Sequence, residues 1–166
     1  PAALPLKKPE LGRENASFGS IDKAAAMIFK AKRPVILVGH SAVRNGAGEA
    51  LTAFADTLHI PTVNTMMAKG IIPYTNKYSM WTIGIPQKDY QNKIIDMADL
   101  VIAVGYDIVE FAPRKWNAEG SHTIIHIDSR PAHINKLFQP ETEVIGDISY
   151  SLQQIQYRCE PKGEPV

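Results

Sequence analysis

The chain predicts an α/β domain built on a parallel sheet of about five or six strands. Three observations carry this. Short apolar, β-branched runs recur along the chain, of the kind that strands buried on both faces require. Segments with apolar residues spaced by three and four lie between them, as amphipathic helices demand. Several of the runs stop on a glycine or an aspartate: Gly39, Gly105 and Asp128.

The elements follow in order. Residues 1–19 are rich in Pro, Lys, Gly and Asn, show no period, and read as an interdomain linker. The lack of an initiating Met and of an apolar leader fits the expectation of a processed or excised segment better than that of a whole gene product. Asn15-Ala16-Ser17 matches a glycosylation sequon, which by itself is a chance occurrence. Ser20 is expected to cap a first helix whose inner face is Ile21, Ala24, Ala25 and Ile28. Pro34 opens the strand PVILVG, which ends at Gly39. A polar loop leads to a helix from about Ala47 to Leu58, with Ala47, Leu51, Phe54 and Leu58 on its apolar face. Pro61 starts the strand PTVNT.

The stretch from Met66 to Gly84 mixes Gly, Pro and aromatic residues and is expected to form loops and a short helix. Tyr90, Ile94 and Met97 are expected to line a helix that leads into the strand Leu100–Gly105. HTIIHID at 122–128 is the next strand, Ile134, Leu137 and Phe138 suggest one turn of helix, EVIGD at 143–147 is a last strand, and Ile148–Gln156 a closing helix. The domain is thus expected over 20–157, with 158–166 a linker tail. Repeated strand–loop–helix units make this a Rossmann-like, three-layer α/β/α pattern.

The gross numbers exclude several functions. A formal net charge of +1 gives no electrostatic case for nucleic acid or an anionic membrane surface. No stretch approaches the roughly 18 apolar residues of a membrane span. Cys159 is the lone cysteine, so neither an internal disulfide nor a cysteine zinc site is possible within the chain, and a reducing, cytoplasmic setting is expected.

In an open α/β sheet the carboxyl ends of the strands line the ligand crevice. The candidate site is therefore Gly39, His40 and Ser41 after the first strand, Gly105, Tyr106 and Asp107 after the 100–105 strand, Asp128 and Ser129 after the next, and Asp147 after the last. The first loop joins a strand to a helix start, where free N–H groups could meet a phosphate. The dinucleotide fingerprint fails, because Gly46-Ala47-Gly48 needs a third glycine where Leu51 stands. Asp128 could hold a ribose hydroxyl, although capping of the turn before Pro131 is the simpler reading. Glu110 and Asp107 are the acids best placed to face the crevice, with surface exposure the simpler reading of each. His122 and His126 share a strand face but stand about 13 Å apart at about 3.3 Å per residue, too far to share a zinc ion. His126 reads as a structural residue, and His40 is the histidine to watch. Trp81 and Trp116 read as packing residues at domain edges or facing a neighbouring domain. No catalytic triad and no metal site is signposted.

The series PVILVG, HIPTVNT, MADLVIAVGYD, HIDSRPAHI and VIGD resembles the central domain of thiamine-diphosphate-dependent decarboxylases and synthases, over roughly residues 20–157. Val104–Asn117, VGYDIVEFAPRKWN, is similar to a stretch of catabolic, FAD-independent α-acetolactate synthases. The FAD-binding biosynthetic acetohydroxyacid synthases carry a Gly-Val-Arg-Phe-Asp-Asp-Arg type of sequence there. They also carry a Gly-Gly-Gly loop in place of Gly39-His40-Ser41 and a Met-His-Gly segment in place of Ile83-Gly84-Ile85-Pro86. Thr65-Met66-Met67-Ala68-Lys69-Gly70, His126-Ile127-Asp128 and Gly146-Asp147 remain of their pattern.

The resemblance implies a parent transferase that condenses two pyruvates to 2-acetolactate and CO2. Thiamine diphosphate and Mg²⁺ would be bound by N- and C-terminal catalytic domains of the same chain. The family's Gly-Asp-Gly motif is absent here, since Gly146-Asp147 is followed by Ile148. It implies a homo-oligomeric parent, a non-catalytic central domain, and a crevice that is a vestige of a nucleotide site, with FAD not expected. Two alternatives stay open: an FAD-binding central domain of a biosynthetic acetohydroxyacid synthase, or a free-standing nucleotide-binding module.

Overall fold

In the computed structural model, the described residues are 14–84 and 90–159. Helix α1 (Phe18–Lys30) leads into strand β1 (Pro34–Val38). A short helix α2 (His40–Arg44), helix α3 (Gly48–Leu58) and strand β2 (Thr62–Asn64) follow. After a 3-10 turn at Met66–Ala68 come β3 (Ser79–Thr82), α4 (Tyr90–Asp96) and β4 (Leu100–Val104). A second 3-10 turn at Pro113–Lys115 precedes β5 (Ile124–Asp128), β6 (Thr142–Ile145) and α5 (Ile148–Cys159).

The sheet has six strands in the order β3-β2-β1-β4-β5-β6, all paired parallel. From β1 the chain runs outward to β2 and β3 on one side, then returns to start β4 on the other. The order therefore reverses between β1 and β4, and that is where a crevice opens in such a sheet. β1 pairs with β4 without interruption, from Pro34 opposite Leu100 to Val38 opposite Val104.

Alternation along the central strands splits the core in two. Ile36, Val38, Ile102, Val104, Ile125 and Ile127 face α1, α3 and α5, whose inner residues include Ile21, Ile28, Leu51, Phe54, Leu152 and Ile155. The interleaved Val35, Leu37, Val101, Ala103 and Ile124 face the other way, against Ile83, Ile95 and the aromatic side chains of Tyr106, Phe111, Trp116 and Phe138.

Several elements depart from the expectations. Helix α1 is capped by Ser17, whose Oγ accepts from the Ser20 N–H at 3.2 Å, and not by Ser20. The polar loop after β1 contains α2. Strand β3 falls within the stretch expected to hold only loops and a short helix; the short helix is the turn at Met66–Ala68. The β2–β3 pairing shifts register, and Trp81 has φ +66°, so this edge strand has no alternation to read. Helix α4 buries Asn92 and Ile95, whereas Tyr90 and Met97 are exposed; the Asn92 amide donates to the Lys115 carbonyl at 2.8 Å. The segment around Ile134–Phe138 is a tight loop rather than a helical turn. Asn135 and Phe138 exchange backbone hydrogen bonds there, and Asn135 Oδ1 accepts from the Leu137 N–H at 2.8 Å. Ile85, Pro86, residues 1–13 and the tail from 160 lie outside the described residues.

Candidate functional site

The carboxyl ends of the strands are stitched to one another. The Gly39 N–H donates to the Val104 carbonyl (3.0 Å), Gly105 N–H to Ile127 (2.8 Å), Thr65 N–H to Val38 (2.8 Å) and Ser41 N–H to Gly105 (3.0 Å). α2 thereby starts directly over the β1–β4 junction. The closeness explains both glycines. A Cβ on Gly39 would lie 2.5 Å from the Gly105 carbonyl oxygen and 2.5 Å from Tyr106 Cα. Gly105, at φ +58°, packs so tightly on Ala42 that a Cβ would meet that residue's backbone. The protein itself fills the space above them.

Beside this junction is a crevice of about 310 Å³, at the small end of ligand pockets. His40, Ser41, Tyr106, Asp107, Asp128 and Ser129 line it, so six of the nine predicted positions converge there. Gly39 and Gly105 lie beneath, at the junction. Asp147 stands apart: its Oδ1 accepts from the Tyr150 N–H at 2.8 Å at the start of α5, and its own N–H donates to the Glu14 carbonyl at 2.9 Å. Arg44, Asn45, Arg130, His133 and Phe138 are also among the lining residues. These five went unread because they come from a helix turn and from the long β5–β6 loop, where no pattern precedes them.

Most polar groups of the crevice already have partners inside the domain. Asp128 Oδ1 accepts from Ser41 Oγ at 2.8 Å and from the Ser129 N–H at 2.5 Å. Asp128 thus bonds to the residue that follows it and links the end of β5 to α2. The Asn45 amide donates to the Ser41 carbonyl at 2.7 Å. The His126 ring is 2% exposed and packs edge-on to Phe138. Its Nε2 lies 3.1 Å from the Arg130 carbonyl, which can only accept, so Nε2 carries the hydrogen. Its Nδ1 has no hydrogen-bond partner among the described residues. At the mouth, His133 Nδ1 and Asp107 Oδ2 stand 3.2 Å apart, a largely solvated pair worth little to stability.

Two aromatic rings of the crevice lining, Tyr106 and Phe138, are backed by Trp116. The Trp116 indole N–H donates to Tyr106 Oη at 3.1 Å, and the Tyr106 hydroxyl donates to the Phe111 carbonyl at 2.5 Å. Phe138 packs against both rings. Burial pushes the Tyr106 phenol far above its ordinary value; the Trp116 N–H pulls it back in part, and the charges of Glu110 and Asp107 push it further up. Tyr106 is therefore a neutral, fixed wall group at any physiological pH. Trp116 is buried, whereas Trp81 is 58% exposed.

Glu110 corrects the surface reading, since its side chain is 3% exposed and its carboxylate lies behind Gly39. Among the described residues no three His, Cys, Asp or Glu side chains converge on a possible metal position, and no helix is long and apolar enough to cross a membrane.

Residues 21–155 match the family described as "Thiamine pyrophosphate enzyme, central domain". The chain is 34% identical over 150 residues to the acetolactate synthase of Bacillus subtilis, covering 90% of this chain and 26% of that protein. It is 29% identical over 162 residues to the catabolic acetolactate synthase of Raoultella terrigena, covering 96% and 28%. The chain thus spans about a quarter of the length of these curated relatives. A solved structure of a candidate thiamin diphosphate-dependent enzyme isolated from Mycobacterium smegmatis superposes with a TM-score of 0.74, covering 100% of this chain and 32% of that one. At 19% identity, that likeness speaks for the fold alone.

Proposed function

Because the chain belongs to the family of thiamine pyrophosphate enzyme central domains, we propose that it is the non-catalytic central domain of an acetolactate synthase of the flavin-independent, catabolic kind. The observation that carries this is the 150-residue similarity to an acetolactate synthase of which the chain spans 26%. The remaining length of such a relative is room for N- and C-terminal catalytic domains, which would bind thiamine diphosphate and Mg²⁺. The whole protein would condense two pyruvates to 2-acetolactate and CO2, as a cytoplasmic homo-oligomer.

In this reading the central domain connects the catalytic domains and shapes access between them. The cofactor supplies the carbanion chemistry, and no residue of this chain takes part in it. The crevice residues Gly39, His40, Ser41, Gly105, Tyr106, Asp107, Asp128, Ser129 and Asp147 would be the remains of a nucleotide site. The residues present do not suit a flavin dinucleotide. A diphosphate seated on a strand-to-helix glycine needs open space over that glycine, and here Glu110 and Tyr106 press on Gly39 while Ala42 presses on Gly105.

The test is acetolactate formation from pyruvate, thiamine diphosphate and Mg²⁺, measured on this chain and on the chain with its flanking sequence. Activity is expected only from the longer protein, which is expected to purify without flavin absorbance. Turnover by residues 1–166 alone would overturn the non-catalytic assignment, and stoichiometric flavin would favour the biosynthetic alternative.

A further inference from the structure

Glu110 carries an enclosed carboxylate near the strand ends, and its partners come from the ends of three strands. Oε2 accepts from the His40 N–H at 2.9 Å, just past β1, and from Thr65 Oγ1 at 2.6 Å, just past β2. Oε1 accepts from the Asp107 N–H at 3.1 Å, just past β4, and lies 3.0 Å from His40 Nδ1. The side chain is 3% exposed. No Lys or Arg pairs with it among the described residues. A buried carboxylate is tolerated only when hydrogen bonds replace its lost water, and this one sits in a cage of donors facing inward from β1, β2 and β4.

Two of those strands, β1 and β4, flank the reversal of strand order, where an open α/β sheet receives an anionic ligand on backbone N–H groups. Here the anion is already present and covalently attached. It presses on the junction glycine so closely that a Cβ on Gly39 would fall 2.5 Å from Oε1. We propose that Glu110 is an internal plug: its carboxylate supplies, from within the chain, the negative group that holds the carboxyl ends of β1, β2 and β4 together, so that the crevice keeps its shape without a bound anion. The inference does not depend on the reaction of the longer protein. It gives the geometry of a ligand junction a purely structural occupant, and it names the residue responsible.

The test is residue-resolved amide exchange by NMR on the full chain, comparing wild type with Glu110→Ala. Exchange at His40 and Asp107 is expected to accelerate by at least about tenfold, while Ile36, whose N–H bonds to the Pro61 carbonyl, stays protected. Formate fits the volume the variant loses. It is expected to restore protection at His40 and Asp107 in Glu110→Ala, whereas chloride at equal ionic strength does not, and neither affects wild type. Unchanged exchange at the two amides, uniform acceleration across the sheet, or no formate-specific rescue would each overturn the plug. If Glu110→Ala does not fold, Glu110→Gln keeps the volume and removes the charge. Selective loss of protection at His40 then supports the proposal, and wild-type exchange at both amides overturns it.

Discussion

The two faces of the sheet are covered in different ways. On one, three helices lay regular apolar stripes on the alternate residues of β1, β4, β5 and β6. On the other, one short helix shares the work with loops that carry Tyr106, Phe111, Trp116 and Phe138. The helical face is built from repeats of three and four residues, and its contacts serve packing alone. The aromatic face is built from single large side chains placed by turns, and two of them, Tyr106 and Phe138, also line the crevice. Irregular covering is where a domain of this kind can vary its site without disturbing its frame.

The largest effects come from cutting each face at its centre. Phe54→Ala on α3 and Trp116→Ala on the opposite side should each cost about 3–5 kcal/mol, by lost burial plus the cavity left behind. Urea unfolding checks both. The comparison predicts a difference beyond stability. Trp116→Ala removes the indole N–H from Tyr106 Oη and should shift the amide resonances of Tyr106 to Glu110 and of Ser41, whereas Phe54→Ala should leave them in place. Equal disturbance of the crevice by both would erase the distinction between the faces.

Next comes the junction that both faces share. Gly105→Ala puts a Cβ against Ala42 at a positive φ, and should cost about 2–3 kcal/mol through strain and forced displacement of α2. A thermal melt measures the loss. A neutral result would mean that α2 can lift off β4, which its backbone hydrogen bonds argue against.

The smallest effect lies at the end of the helical face. Cys159 on α5 is buried, and burial pushes its thiol up to about 11 from the ordinary 9.0. An acid whose folded value is raised holds its proton longer in the folded state. The unfolded thiol ionises first, so stability falls as pH rises above 9.0 and the loss levels off near 11. Below 9.0 no contribution is expected. Cys159→Ser should flatten the alkaline limb of the stability profile, and thiol labelling of the wild type at neutral pH should follow global unfolding.

The legibility of the chain follows the same division. Strands β1, β4 and β5 could be read because continuous apolar runs mark burial on both faces, and helices α1 and α3 because spacing by three and four sets which side is buried. Ser17 took the capping place from Ser20 because one more turn of α1 could be satisfied by the earlier hydroxyl. β3 escaped because a register shift and the positive φ of Trp81 remove its alternation. Tyr90 and Met97 suggested a face that α4 does not bury, since its packing is fixed by Asn92 reaching Lys115 on another loop. For the site, strand-end positions were legible and their partners were not.

By itself the sequence determined the α/β class, the parallel sheet, the inner faces of the main helices and the strand ends where a crevice must lie, because each rests on spacing within one element. The tertiary structure alone decided that Glu110 turns inward to hold His40, Thr65 and Asp107, that Gly39 and Gly105 are glycines because backbones meet over them, and that Arg130 and His133 reach the crevice from the β5–β6 loop. Those contacts join residues far apart in the chain, and long-range closure leaves no periodic trace in the sequence.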